Sequence, residues 1–297
     1  MQPYATPYLN TDEAAAYLGI RERKLYELVA NGVVPCSKVT GKWLFPRAAL
    51  DRWIEAGMAA QHGFIATDAP SIVGGSHDPL LEWALRRAGS GLALLSVGSE
   101  AGLAKLAANE IAIAAVHMHA IDDDDANVAA VATTQQLHDA VLIAFTRREE
   151  GLLVAPGNPM ALSSLSDAVG LKARFAARQP GAGAQLLLSK LLIADGLSLE
   201  RLNLLPSTFS TGDDLAFAIR AGEADCGVAT RAAASAHGLG FVPLAWEHFD
   251  LAMRRRTYFE PGVQALLSLM RSPELHRHAE QLSGYDTSVA GSVRLTR

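Results

Sequence analysis

Three glycine-containing turns carry most of the chemistry in this sequence. Gly74-Gly75-Ser76-His77-Asp78-Pro79 follows a short apolar run and precedes a helical pattern. Ser96-Val97-Gly98-Ser99-Glu100 does the same after a second run, and Arg178-Gln179-Pro180-Gly181-Ala182-Gly183 does so further along. Such turns present unpaired backbone N–H groups at a helix N-terminus, and their glycines let a ligand come close. Ser76 and Ser99 add hydroxyl donors, Arg178 adds a guanidinium, and Thr211 adds a hydroxyl just ahead of a helix expected over 213–221. His117 lies past a third apolar run, at the same strand edge. The chemistry is capture of a small anion. The candidate ligand residues are Ser76, His77, Ser99, Glu100, His117, Arg178, Gly181, Gly183 and Thr211.

Other chemistries are weaker. Ser76-His77-Asp78 has the residue types of a nucleophilic triad, but adjacent residues do not face one another productively. No catalytic residue is assigned. His117, His119 and Asp122 to Asp125 include metal-ligand types, yet read as one ligand-facing histidine beside a solvated acidic loop. Neither a metal nor a cofactor is expected. Arg178 has a structural alternative, pairing with Asp225 or Glu223, and Arg254-Arg255-Arg256 reads as an exposed turn.

These turns need strands and helices to position them. Apolar runs at 71–75, 92–96 and 111–116 alternate with helical patterns at 79–88 and 98–108, which implies a parallel sheet covered on both faces. A second series follows Val141-Leu142-Ile143-Ala144-Phe145. It contains Ala173 to Ala176, a helix over 184–197, the helix after Thr211 and a strand at Cys226 to Ala229. Phe241 to Leu244 and Asp250 to Met253 return the chain, and helices at 261–270 and 273–282 finish it. Two α/β lobes joined by crossing strands enclose a cleft lined by strand-to-helix loops.

The chain has 297 residues, 49% hydrophobic and 19% charged, which is enough for a sizeable core and excludes a mostly disordered polymer. Its net charge of -5 excludes a polycation that coats nucleic acid. Residues 1–60 differ, with seven Lys/Arg against six Asp/Glu, so a nucleic-acid surface belongs there. Cys36 and Cys226 share no motif spacing. No apolar stretch suits a membrane span and the start lacks signal-peptide character, so a cytoplasmic protein without a membrane partner is expected.

In the first sixty residues, Thr11 or Asn10 caps a helix that stops at Gly19. A second helix, Arg21 to Ala30, places Arg21, Arg23 and Lys24 near its start and Leu25, Leu28 and Val29 inward. Two helices joined by a short turn can seat the second in a major groove. Val39 to Pro46 reads as a hairpin wing, with Lys38, Thr40 and Lys42 about its tip as DNA contacts. Pro46 opens a third helix, Arg47 to Glu55, that buries Leu50, Trp53 and Ile54.

The pattern Leu-x-Thr-x-Glu-x-Ala-x-Tyr-Leu-Gly-Ile, a basic helix and Gly-Lys-Trp-Leu-Phe-Pro resembles the excisionase/MerR-type winged helix-turn-helix over residues 8–56. Gly75 to Pro79, Gly98 to Leu103, Ala114 to His117, Gly151 to Pro159 and Phe241 to Leu244 resemble a second family. It is the periplasmic-binding-protein-like domain related to molybdate-binding proteins, found behind small DNA-binding domains. That resemblance implies sensing of an oxyanion such as molybdate or tungstate. The family's second-lobe loop reads Asn-Arg-Gln-x-Gly-Ser-Gly-Thr-Arg, whereas here 177–185 lacks the serine, the threonine and one arginine. Phe249-Asp250-Leu251 replaces Tyr-Asp-Leu. With these donors gone, a small carboxylate competes with a tetrahedral dianion.

The expected architecture is therefore α/β: a winged helix-turn-helix (1–57), a linker (58–69) and a two-lobed, type II periplasmic-binding-protein-like domain (70–297). Lobe 1 is placed at about 70–145 and 245–297, and lobe 2 at about 146–244. The expected function is a transcriptional regulator that binds double-stranded operator DNA as a homo-oligomer, a dimer or tetramer, and senses a small anion. An enzyme acting on a small anionic substrate and a cytoplasmic solute-binding protein are the alternatives.

Overall fold

The computed structural model describes residues 7–38, 41–62, 69–119 and 125–297, with the backbone alone over 55–62. Thr40 and Asp122 to Asp124 lie outside the described residues. The chain divides into two compact units, Met1–Asp68 and Ala69–Arg297.

The first unit runs β1 (Tyr8–Leu9), α1 (Thr11–Tyr17), α2 (Glu22–Ala30), β2 (Phe45–Pro46), α3 (Arg47–His62). Asn10, not Thr11, caps α1: its side chain accepts from Glu13 N at 2.9 Å, and Glu13 accepts from Asn10 N at 2.9 Å. Ser37 and Leu44 exchange backbone hydrogen bonds of 2.9 and 2.8 Å, which closes a hairpin. Its outgoing strand, β2, pairs antiparallel with β1. Ala14, Ala15, Leu25, Val34, Phe45 and Leu50 form the core, with Leu28, Val29, Trp43 and Trp53 packed against it. Ile54, expected inside, is 37% exposed. It lies on the far side of Leu50 from Trp53, about 40° around the helix from Leu50, at the edge of the buried stripe. α3 runs on to His62, into the stretch expected as linker. Ala, Met and Gln there favour helix.

The second unit begins with β3 (Ile72–Gly75), α4 (Pro79–Arg87), β4 (Ala93–Ser96), α5 (Ser99–Ala107), β5 (Ile113–Val116) and α6 (Ala126–Thr133). The long strand β6 (Ala140–Val154) leads to α7 (Leu165–Gly170), β7 (Arg174–Arg178), α8 (Gly183–Ala194), β8 (Asn203–Phe209), α9 (Gly212–Arg220), β9 (Cys226–Thr230) and α10 (Arg231–Ala236). A second long strand, β10 (Gly240–Arg254), returns to α11 (Arg255–Tyr258), α12 (Pro261–Met270), α13 (Pro273–Leu282), β11 (Tyr285–Asp286) and β12 (Val293–Thr296).

The strand order is β4-β3-β5-β10-β6-β9-β7-β8, with β11 and β12 on β6. β3, β4 and β5 are parallel, as are β7, β8 and β9, while β6 and β10 run antiparallel to their neighbours. The sheet is thus mixed, because the two crossing strands belong to both lobes. The sequence reading broke each of them: β6 continues past Phe145 to Val154, and Phe241 to Leu244 joins Asp250 to Met253 in β10. Each lobe packs helices on both sheet faces. In lobe 1 one core holds Leu81, Ile143, Phe249 and Leu266, and the other holds Leu106, Ala114 and Val131. In lobe 2 they hold Leu152, Phe175 and Leu188, and Leu153, Leu215 and Ala233.

The approach of α5 to β3 depends on two glycines. A Cβ on Gly102 would meet Gly75 Cα at 2.5 Å, and Gly75 has φ +119° with its own space filled by Ala115 O. Gly102→Ala would ordinarily strengthen a helix by up to about 1 kcal/mol. Here overpacking against backbone is expected to cost about 1–3 kcal/mol instead. Urea denaturation checks the sign: a lowered midpoint is expected, and an unchanged or raised one contradicts the packing described.

Candidate functional site

In the first unit, the candidate DNA contacts stand in solvent. Arg21, Arg23 and Lys24 are exposed on and ahead of α2. Arg23 and Lys24 approach Glu27 at 3.8 and 3.0 Å, pairs too exposed to fix either side chain. Lys38 lies 5.2 Å from the Trp43 ring. With Lys42 and Tyr26 it lines a hollow of about 560 Å³ that also reaches Asn10 to Asp12. Tyr26, 49% exposed on α2, was not among the residues read from the sequence.

In the second unit, the strand-end loops converge on His117. Ser76 Oγ lies 2.8 Å from His117 Nε2. Ser99 Oγ accepts from His117 N at 3.1 Å and donates to His117 O at 3.3 Å. From lobe 2, the start of α8 rests on the same ring: a Cβ on Gly183 would meet Nε2 at 2.2 Å, so only glycine fits there. Glu100 N donates to Gly181 O at 3.4 Å, and the Glu100 carboxylate packs over Gly181. Gly98 and Ala182 hold the N-cap positions of α5 and α8, and neither has a side chain that can accept from the first turn.

The remaining candidates sit around this point. His77 lies 3.4 Å from Glu82 and 3.7 Å from Asp213, a contact from lobe 1 to lobe 2. Arg178 donates to Phe209 O at 3.0 Å and Ser210 O at 2.7 Å, while Arg174 takes Asp225. His77, Arg148, Glu150 and Arg178 border a hollow of only about 10 Å³, the space of one water. Thr211 caps α9 in a reciprocal pair with Asp214.

The crossing strands supply the charges that sequence reading missed. Arg148 of β6 is directly opposite Glu247 of β10. Arg148 Nε donates to Glu247 Oε1 at 2.5 Å and Nη1 to Asp78 Oδ2 at 3.0 Å, while Nη2 lies 3.5 Å from Glu150. Tyr285 donates to Asp78 at 3.0 Å. Glu247 also meets His117 Nδ1 at 2.6 Å and His119 Nε2 at 2.7 Å. The available signal was the charged run 147–150 directly after an apolar strand pattern. It becomes a site only when the strand is continued and its register known.

Burial opposes the charge on Arg148, yet Glu247, Glu150 and Asp78 hold it firmly protonated. Glu247 is buried too, but His117 and Arg148 keep its carboxyl well below the ordinary range. Glu150 goes the other way. Burial and the neighbouring Glu247 charge raise it well above the usual carboxylate value, and its Oε2 has no hydrogen-bond partner among the described residues. Burial, then Arg148, lowers His117 to about 4. Burial lowers Arg178.

Ser76, His117 and Glu247 align in the order of a nucleophile relay. Arg148 Nη2 lies 2.7 Å from His117 Nδ1 and shares Glu247 with it, and the start of α8 packs against the ring at Nε2. His117, His119 and Glu247 also form a set of metal-ligand type, with one ligating atom from each within 4.8 Å of the others. A cavity of about 230 Å³ opens beside them, lined by His119, Asn127, Lys190, Trp246, Glu247 and Arg294.

The buried neutral His117 makes stability depend on pH. As pH falls through 6.5 the unfolded chain takes the proton first, and the folded chain follows near 4. The contribution is complete above about pH 6.5 and lost toward pH 4, a change of roughly 3 kcal/mol. Asp250, raised by burial to about 6, acts in the opposite sense but is common to wild type and variant. Urea melts of wild type and His117→Gln check this. The stability difference is expected to shift against wild type by about that amount as pH falls, and parallel curves contradict it.

A family model described as the PBP superfamily domain matches residues 82–271, and a helix-turn-helix domain model matches residues 8–58. The chain is 22% identical over 300 residues to the uncharacterized protein YvgK of Bacillus subtilis (strain 168), covering 96% of each. Its fold is similar to a structure named as a phosphate ABC transporter substrate-binding protein with bound phosphate from Clostridium perfringens. The TM-score is 0.54 at 11% identity, covering 72% of this chain and 98% of that one. A hydrogen-peroxide-bound OxyR mutant of Corynebacterium glutamicum gives a TM-score of 0.50 at 14% identity, over 92% of this chain and 89% of that one. These structural likenesses concern the fold alone.

Proposed function

Because the chain belongs to the PBP superfamily and carries a helix-turn-helix domain ahead of that region, we propose that it is a ligand-responsive transcriptional regulator. Its α2 enters the major groove with Arg21, Arg23 and Lys24, and the hairpin lysines Lys38 and Lys42 hold flanking phosphate. Operator DNA as partner places it in the cytoplasm. The weak local charge calls for a homo-oligomer, since each head alone makes few phosphate contacts.

The observation that carries the sensing half is the convergence of loops from both lobes on His117. A ligand that enters there must part Gly98 from Gly181 and Gly183 from His117, so occupancy and lobe separation are linked. We read the ligand as a small anion. The α5 and α8 N-termini, Ser76 and Arg178 supply donors, and Ser99 braces His117 through its backbone. Asp78, Glu150 and Glu247 already surround Arg148, so a singly charged carboxylate suits the site better than a molybdate-like dianion.

Two measurements test the reading. Replacing Arg23 and Lys24 by Ala is expected to weaken operator binding at least tenfold and flatten its salt dependence, read by gel shift. A thermal-shift screen of small carboxylates against molybdate, tungstate, sulfate and phosphate is expected to find a stabilising carboxylate that also changes operator affinity. Stabilisation by none, or turnover of the ligand, contradicts the proposal.

A further inference from the structure

His117 and His119 leave the end of β5 two residues apart, and Glu247 reaches both from the crossing strand. A tetrahedral ion with bonds of about 2.1 Å holds its ligands roughly 3.4 Å apart. The observed separations, all within 4.8 Å, are therefore a small side-chain rotation from a coordination shell. Ser76 holds His117 Nε2 and leaves Nδ1 toward Glu247, the kind of outer hydrogen bond that orients a metal-ligating imidazole.

The surrounding carboxyl groups supply acceptor oxygens close to the three donors. Asp78, Glu150 and Glu247 are 0, 1 and 4% exposed, and Glu150 Oε2 is left without a hydrogen-bond partner among the described residues. Arg148 now lies 2.7 Å from His117 Nδ1 and so competes for the site. It has somewhere to go: Asp78 already holds it at 3.0 Å, and the unpartnered oxygen of Glu150 can accept it. On the other side, His119 and Glu247 border the cavity of about 230 Å³, which has room for waters or ligand atoms in open coordination positions.

We propose that His117, His119 and Glu247 bind a divalent first-row transition-metal ion such as Zn²⁺ or Ni²⁺, with its open positions facing that cavity. Imidazole and carboxylate donors select such ions over Mg²⁺ or Ca²⁺. The bound charge would let a small carboxylate coordinate there. That regulatory consequence rests on the sensing reading, but metal binding itself does not.

The test is titration of the EDTA-treated full-length chain with Zn²⁺ by calorimetry, and with Co²⁺ followed by its visible absorption. One ion per chain is expected, with affinity at least tenfold weaker in His119→Ala and Glu247→Gln and unchanged in His276→Ala. His119→Ala leaves every Arg148 pair in place, so it decides the matter if Glu247→Gln fails to fold. No binding, or binding that His119→Ala leaves unchanged, overturns the proposal. Operator binding measured on the same samples keeps that failure separate from failure of the regulator reading.

Discussion

The guanidinium of Arg148 is the positive charge against which the buried carboxyls Asp78, Glu150 and Glu247 are arranged. Three acidic groups so close cannot all ionise in a site from which water is excluded. Arg148 and His117 settle which do: Glu247 ionises readily, while Glu150 is pushed toward its neutral form. Removing one partner from such a set leaves an uncompensated charge in a poorly solvated place, a far larger penalty than breaking a surface pair. The remaining site geometry follows from this balance. Glu247 reaches both histidines, His117 receives Ser76 and Ser99, and Asp78 caps α4 while accepting from Tyr285.

The position of this cluster on the crossing strands has consequences for motion. β6 and β10 stay paired from Arg254↔Ala140 to Gly240↔Val154, with register shifts between Pro243 and Ala245 and between Phe249 and Asp250. Glu247 lies in the regularly paired stretch between those two irregularities, and the strand bends at the ends of that stretch. The end of the chain braces the same strand, since β11 and β12 both pair with β6. A ligand changes the balance between open and closed lobes only by its different affinity for the two. Residues that touch both lobes, among them His117, His77, Gly98 and Glu100, are where such a difference would arise.

Much of this was legible in the sequence because its signals are local. The first helix announces itself by Asn10, Glu13 and Gly19, and α3 begins where Pro46 places it. The strand-end turns could be located because glycine followed by a helix pattern needs only neighbouring residues. Arg148, Glu150 and Glu247 were not found, because charged residues inside a strand mark a strand end unless a partner is known. Only the register that sets Arg148 opposite Glu247 reveals one. Thr211 shows the converse. A hydroxyl ahead of a helix was read as a ligand donor, and in the fold its hydrogen bonds close a cap on Asp214.

The dependence on Arg148 can be measured directly in the full-length chain by urea unfolding of Arg148→Met at neutral pH. The methionine keeps apolar bulk and removes the charge. A loss of about 3–5 kcal/mol is expected for leaving Asp78 and Glu247 buried without their counter-ion. A variant as stable as the wild type would contradict the arrangement of the cleft around this guanidinium.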